Sequence, residues 1–159
     1  EKYEECLELR RMTRDYGALF IVNDHPDLCL LTDADGVHVG QDDYPVAAVR
    51  GLIGPERILG WSTHEPRQLQ EAHALGVDYA GVGPLFETHT KEDVMALVGL
   101  SYLEWAVANT KIPFVAIGGI KEHNFPEVAS RGAKCICLVS EITENPDIQG
   151  KIKRLLDLF

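Results

Sequence analysis

The stretch Gly81-Val82-Gly83-Pro84-Leu85-Phe86-Glu87-Thr88-His89-Thr90-Lys91 joins the end of an apolar segment to a polar loop. The segment 79–86 is mostly apolar and contains two glycines, which is typical of a strand that a backbone or a ligand can approach closely. The loop then places two hydroxyl groups and a cation within four residues, Thr88 to Lys91. Hydroxyl donors and a lysine together suit an anionic oxygen such as that of phosphate. We therefore predict a phosphate-binding loop after this strand, with an ordinary solvated loop as the alternative.

Similar apolar segments recur along the chain, and amphipathic segments separate most of them. Near-continuous apolar character indicates strands that are buried on both faces. The predicted strands are 18–23, 36–40, 58–62, 79–86, 114–120 and 135–140. The predicted helices are 3–16, 45–52, 66–75, 100–109, 124–131 and 147–158. Alternation of this kind predicts an α/β fold with a parallel sheet and right-handed crossovers.

Polar residues at the ends of the predicted strands decide between two architectures. An open doubly wound sheet concentrates its ligands near one switch point. A (β/α)₈ barrel instead collects them from the carboxyl ends of many strands. Each predicted strand here is followed by polar residues or by a glycine pair, among them Asn23, Ser62 and Ser140. We therefore predict a (β/α)₈ TIM barrel that is incomplete, with six strand-helix units, formed as one domain by residues 1–159.

Composition limits the partners that we expect. The chain has 159 residues, of which 45% are hydrophobic and 25% are charged, and its net charge is −10. This charge argues against nucleic acid or an anionic membrane as the main partner. Because no apolar run approaches the ~20 residues of a membrane span and no signal peptide is apparent, we expect a cytoplasmic protein. The four cysteines form no metal or redox pattern, which fits a reducing compartment.

Two carboxylates follow the first two predicted strands. Asp24 and Asp43 would lie at neighbouring strand ends, where paired carboxylates can share Mg²⁺, a hard ion that prefers oxygen ligands. A purely structural alternative exists for each residue: a turn before Pro26 for Asp24, and an N-cap before the helix at Pro45 for Asp43. We prefer the magnesium site because both residues accompany a phosphate-like loop.

The last two predicted strands end in features that suit a second anion. Gly118 and Gly119 follow one strand, and Ser140 follows the other. In barrels, the loops after strands seven and eight are the usual phosphate site. If two strands are missing at the amino-terminal side, these segments are strands seven and eight. Of the histidines, we expect His38 to point into the barrel or its shell and His64 to act as a helix cap, with ligand contact as the alternative for His64.

Several motifs together resemble the thiamine-phosphate synthase family. The resemblance covers nearly the whole chain, in order and in spacing. It rests on FIVND at 20–24, DGVHVGQDD at 35–43, GWSTH at 60–64, the stretch 81–91, VGL at 98–100 and IPFVAIGGI at 112–120.

This resemblance implies a (β/α)₈ barrel enzyme of thiamine biosynthesis. The family joins a pyrimidine methyl diphosphate to a (carboxy)thiazole phosphate and releases pyrophosphate, together with CO₂ when the thiazole is carboxylated. It also implies a role for each matching residue. Mg²⁺ would be bound by Asp24 and Asp43. The pyrimidine diphosphate would be held by Asn23, Ser62 and Lys91, of which Ser62 and Lys91 are the catalytic residues. The thiazole phosphate would be held by Thr88, His89, Thr90, Gly119, Val139 and Ser140.

The chain also departs from the family pattern. The family's first two βα units have no counterpart, so we expect an N-terminally truncated barrel, whose gap another chain or a homo-oligomer could fill. A related thiazole tautomerase needs a histidine where Pro84 stands, which weakens that alternative. A non-catalytic phosphate-binding remnant stays open. An unrelated phosphosugar isomerase or aldolase is disfavoured, because no paired acid and base or Schiff-base lysine stands out.

Overall fold

The computed structural model describes residues 1–88 and 96–159 as short strands alternating with helices. The helices are α1 (Lys2–Asp15), α2 (Pro26–Leu31), α3 (Val46–Ile53), α4 (Pro66–Ala74), α5 (Gly99–Asn109), α6 (Phe125–Ser130), α7 (Ser140–Thr143) and α8 (Ile148–Asp157). The strands are β1 (Ile21–Asn23), β2 (Gly36–Val39), β3 (Ile58–Thr63), β4 (Tyr79–Val82) and β5 (Phe114–Ala116). None of the helices in these ranges combines the length and the apolar character needed to cross a membrane.

The strands form a five-stranded sheet in the order β1-β2-β3-β4-β5. Pairing is parallel, with Asn23 opposite His38 and His38 opposite Gly60. Parallel neighbours in sequence order are the arrangement that the strand-helix alternation predicts, so the α/β fold class is confirmed. Within the described residues the barrel is not closed.

The chain divides into two compact units. The first contains residues 1–62 and 71–80, and the second contains residues 63–70 and 81–159. In the first unit Val37, Val39 and Leu59 are fully buried, as expected for strands covered on both faces. In the second unit the fully buried side chains include Leu103 and Val128, which come from α5 and α6.

The prediction of a sixth strand over residues 135–140 is wrong. The segment is reduced to one isolated bridge between Ala116 and Ile136. Ala116 donates to the Cys135 carbonyl and accepts from the Cys137 amide, both at 2.9 Å. β5 ends at this point, since the Gly118 backbone turns to a φ of 97°. Because β5 is so short, residues 135–140 cannot pair with it over more than this bridge. The helix α7 then begins at Ser140.

Besides α7, which was not predicted, the helices differ from the predicted ones in two further respects. α2 is additional, and it begins with Pro26 in its first turn, a position where the missing N–H costs nothing. α1 lies where a helix was predicted but buries none of its side chains. It is instead joined to the rest of the first unit by ion pairs from Arg10 to Asp35 at 2.8 Å and from Arg14 to Asp33 at 2.6 Å.

Candidate active site

In the first unit, the predicted residues gather around His38 on β2. The His38 carbonyl accepts the Asp24 amide N–H at 2.8 Å, directly after β1. Asp24 has a φ of 63°, a left-handed conformation that aspartate tolerates better than most residues. The His38 imidazole lies 2.9 Å from Ser62 Oγ through Nε2 and 2.9 Å from Tyr79 Oη through Nδ1. Both ring nitrogens are therefore engaged, which fixes the ring and orients the Ser62 hydroxyl.

Asp43 lies in the turn that follows β2. Its Oδ2 accepts the Gly40 amide N–H at 2.6 Å, and its side chain is exposed. The alternative role as an N-cap is wrong, because α3 has no side-chain cap and Pro45 occupies the cap position. Asn23 is likewise exposed at the end of β1.

In the second unit, a glycine turn approaches the end of the β4 loop closely. Gly118 and Gly119 have φ values of 97° and 64°, which favour glycine. The Leu85 amide donates to the Ile117 carbonyl and the Phe86 amide donates to the Gly118 carbonyl, both at 3.0 Å. A Cβ on Gly119 would clash with the carbonyl oxygens of this loop. The turn is thus closely packed against this loop.

Two side chains behind this turn hold it in place. The buried Asn124 accepts from the Lys121 amide at 2.7 Å through Oδ1 and donates to the Gly119 carbonyl at 3.2 Å through Nδ2. The Lys121 ammonium donates to Ser140 Oγ at 2.8 Å. Val139, the N-cap residue of α7, accepts backbone bonds from Ile142 and Thr143 through its carbonyl. Gly119 and Ser140, both predicted from the sequence, are therefore connected through Lys121 and Asn124.

The His64 ring contacts a backbone carbonyl and does not cap a helix. Its Nδ1 lies 2.6 Å from the Gly83 carbonyl oxygen, and its amide donates to Gln68 Oε1 at 2.7 Å. It also lines an open cleft of about 340 Å³ in the second unit. The other lining residues are Pro66, Val98, Ser101, Tyr102 and Trp105.

Comparison with known proteins identifies the family. The family model described as thiamine monophosphate synthase matches residues 1–142. The chain belongs to this family. A thiamine-phosphate synthase from Pelotomaculum thermopropionicum is 61% identical over 155 residues, which cover 98% of this chain and 71% of the relative. One from Caldicellulosiruptor saccharolyticus is 52% identical over 159 residues, covering 100% of this chain and 72% of the relative.

Comparison with solved structures also supports membership of the thiamine monophosphate synthase family. The thiamine phosphate pyrophosphorylase from Pyrococcus furiosus superposes with a TM-score of 0.89 at 36% identity. The match covers 98% of this chain and 74% of that one. A 3-hexulose-6-phosphate synthase superposes with a TM-score of 0.73 at 16% identity, which shows a shared fold alone. The recognition of the family from the sequence is confirmed.

The predicted loop of this family member is only partly described. Thr88 lies within the described residues, two positions beyond the Phe86 amide that contacts the glycine turn. His89, Thr90 and Lys91 lie outside them, and their roles stay predictions.

The sequence predicts a magnesium site at Asp24 and Asp43. Asp24 and Asp43 are carboxylates at the end of β1 and in the turn after β2, and this donor chemistry fits Mg²⁺. Asp43 is already oriented by the Gly40 amide. Among residues 1–88 and 96–159, no group of three or more His, Cys, Asp or Glu side chains forms a metal site.

Sequence reasoning missed an ion network behind Ser140. Lys151, whose side chain is 10% exposed, donates to Glu122 Oε2 at 2.5 Å and to Glu141 Oε1 at 2.6 Å. These hydrogen bonds raise the pKa of Lys151, and the same bond from Lys151 lowers the pKa of Glu122. Burial acts to raise the pKa of Glu141, but hydrogen bonds from Lys151 and the Glu122 amide leave it lowered. Lys121, which follows Gly118-Gly119-Ile120, also reaches this network, through Glu141 at 3.6 Å.

Proposed function

We propose that this protein is a thiamine-phosphate synthase that joins a pyrimidine methyl diphosphate to a (carboxy)thiazole phosphate. The main support is its 61% identity over 98% of the chain to a protein of that name. The glycine turn held against the β4 loop supports it physically, because a close backbone approach suits a phosphate group. The Pro84 position supplies no ionisable side chain for the tautomerase alternative.

The residues proposed to bind the substrates are those that the family resemblance implies. Asn23 and Ser62 would hold the pyrimidine diphosphate in the first unit, where His38 fixes the Ser62 hydroxyl. Lys91 would contribute a cation to the same diphosphate. Gly119, Val139 and Ser140 would hold the thiazole phosphate in the second unit, with Thr88, His89 and Thr90 from the loop.

The reaction needs little proton transfer. Cleavage of the carbon–oxygen bond requires that negative charge on the departing pyrophosphate is stabilised, which Lys91 and Ser62 would do by donating to its oxygens. The resulting pyrimidine cation would be trapped by a thiazole nitrogen held in position. Mg²⁺, bound by Asp24 and Asp43, would neutralise further charge on the leaving group.

We also propose that residues 1–159 form a single, incomplete (β/α) barrel domain in a cytoplasmic protein. All four cysteines are free, as is usual in a reducing compartment.

The proposal is tested by incubating the purified protein with both substrates and Mg²⁺ and measuring thiamine phosphate as its fluorescent thiochrome derivative. We expect Mg²⁺-dependent product. Asp24→Asn should lower turnover by at least about tenfold, because it removes a magnesium ligand while asparagine still tolerates the left-handed backbone.

The matched control is Asp27→Asn, which makes the same charge change at an exposed position in the first turn of α2. It should leave turnover within about twofold, as surface substitutions usually do. Absence of product with the unaltered protein, or equal turnover in Asp24→Asn and Asp27→Asn, would overturn the proposed activity or the metal assignment, respectively.

A further inference from the structure

Lys121 is held through both its backbone amide and its side-chain ammonium, next to residues predicted to bind phosphate. Its amide is bound by Asn124 Oδ1 at 2.7 Å, and its ammonium donates to Ser140 Oγ at 2.8 Å. The side chain is 35% exposed, so the ammonium is neither fully buried nor fully solvated. It follows directly on Gly119 and Ile120, within the turn that approaches the β4 loop.

Among the residues that the structure describes, the carboxylate oxygen nearest to the Lys121 ammonium is Glu141 Oε2 at 3.6 Å, so this ion pair is longer than the 2.8 Å hydrogen bond to Ser140. The other oxygen of Glu141 is held by Lys151 at 2.6 Å. Lys151 and Arg154 also bind Glu122, at 2.5 Å and 3.3 Å. Arg154 also pairs with Asp147 at 3.9 Å, so the three cations are matched by three carboxylates. Lys121 is the cation whose closest partner is a neutral hydroxyl.

The hydrogen bond from Lys121 also determines what Ser140 can do. A serine hydroxyl has one hydrogen to donate and lone pairs to accept. An ammonium can only donate, so it occupies a lone pair of Ser140 Oγ and leaves the hydroxyl hydrogen for an acceptor. No second partner of this oxygen is found among the residues that the structure describes. Ser140 is thus prepared to donate to an anion.

We propose that Lys121 is a positioning residue for the phosphate group of the thiazole substrate. It orients the Ser140 hydroxyl as a donor and adds a positive charge, paired with Glu141 only at 3.6 Å, beside a phosphate monoester dianion. Lys151 assists by binding Glu141 more closely than Lys121 does, at 2.6 Å. The inference rests on the proposed function, because that function makes Ser140 a phosphate ligand.

The test compares Lys121→Met with the control Lys134→Met, an equal loss of charge at an exposed lysine of the second unit. Binding of thiazole phosphate alone is measured by calorimetry, and the KM for each substrate is measured in turnover. Lys121→Met should weaken binding of thiazole phosphate and raise its KM by roughly tenfold, the usual effect of losing a charged hydrogen bond. The KM for the pyrimidine diphosphate and the binding of unphosphorylated thiazole alcohol should change by less than about twofold.

Two further variants separate a positioning role from a structural one. In a Ser140→Ala background, the effect of Lys121→Met should shrink to less than about threefold, because the two residues act as one unit. If Lys121→Met fails to fold, Lys121→Gln decides the matter with the same measurements.

The inference is overturned if the unaltered protein does not bind thiazole phosphate, or if Lys121→Met and Lys134→Met bind it equally. Product formation with an unchanged KM in Lys121→Met would refute the role of Lys121 and leave the proposed function intact. Binding that depends on Lys121, without any product, would refute the proposed function and support the role of Lys121.

Discussion

Gly119 shows how one residue without a side chain shapes the predicted phosphate site. Its φ of 64° is left-handed, and a Cβ there would clash with the carbonyl oxygens of Phe86 and Glu87. The left-handed backbone costs an L residue roughly 1–2 kcal/mol. A clash adds a separate cost, because the neighbouring backbone must move. The two effects can be separated, because Gly17 has a left-handed backbone but no neighbouring atom that a Cβ would clash with.

Gly119→Ala should lower the free energy of unfolding by about 3 kcal/mol, the sum of backbone strain and overpacking. The control is Gly17→Ala, at a φ of 65° with no atom within 4 Å of the added Cβ. It should lose only about 1–2 kcal/mol. Urea denaturation followed by circular dichroism measures both. Equal losses in the two variants would mean that the close approach of the β4 loop contributes nothing.

Individual site residues could be predicted from the sequence only where their position along a strand was informative. Ser62 and Ser140 come at the ends of apolar segments, and that local signal is sufficient to select them. Their partners are His38 and Lys121, which lie 24 and 19 residues away in sequence. A side-chain pair at that separation depends on strand register and loop path, which no local pattern encodes.

At the scale of elements, a buried chain of hydrogen bonds joins β3, β4 and α5. Thr63 Oγ1 donates to the Gly81 carbonyl at 2.7 Å and accepts from Tyr102 Oη at 2.7 Å. Thr63 is fully buried and Tyr102 is 5% exposed. Burial raises the pKa of Tyr102 to about 12, against a smaller lowering effect of the bond to Thr63. The Tyr102 hydroxyl therefore stays a donor at neutral pH.

Tyr102→Phe should cost about 1 kcal/mol of unfolding free energy, the usual net value of one hydrogen bond. Thr63→Val should cost more, about 1–3 kcal/mol, because it leaves a buried hydroxyl and a carbonyl without partners. Since the folded pKa is raised, the stabilisation by protonated Tyr102 is complete below pH ~10, the unfolded value, and is lost as pH rises towards 12.

Denaturation with urea between pH 8 and 11 measures this effect, with Tyr16→Phe as a control at a tyrosine that is 86% exposed. Tyr102→Phe should show a shallower alkaline loss of stability than the unaltered protein, and Tyr16→Phe should not. Parallel alkaline curves for all three proteins would contradict the assignment.

Elements were predictable where their periodicity was long and uninterrupted. The helices 66–75 and 100–109 correspond closely to α4 and α5. α2 was missed because its six residues are too few for a periodic pattern to appear. The segment 135–140 has the composition of a strand, but a strand also requires a partner of sufficient length, and β5 provides only Ala116.

For the whole molecule, the alternation of apolar and amphipathic segments was sufficient to predict the parallel α/β fold. This pattern could not show which contacts stabilise each element, because those contacts depend on charged side chains that only folding brings together. In the first unit, Asp35 accepts the Phe20 amide at 2.7 Å and binds Arg10 at 2.8 Å. The hydrogen bond from the Phe20 amide is the largest effect that lowers the pKa of Asp35, and Arg10 lowers it further. This carboxylate therefore joins α1 to the strands of that unit.

The acid stability of the protein should depend measurably on Asp35. Its folded pKa lies below its unfolded value of about 4, so its contribution is complete above pH ~4 and is lost as pH falls through the folded pKa. Asp35→Asn should lower the unfolding free energy at pH 7 by about 1–2 kcal/mol, since it weakens two charged hydrogen bonds. Its stability should also fall less steeply between pH 5 and 3 than that of the unaltered protein. Asp27→Asn, at an exposed carboxylate, should leave the acid slope unchanged. An Asp35→Asn curve that runs parallel to that of the unaltered protein across this range would show that Asp35 does not carry the acid dependence.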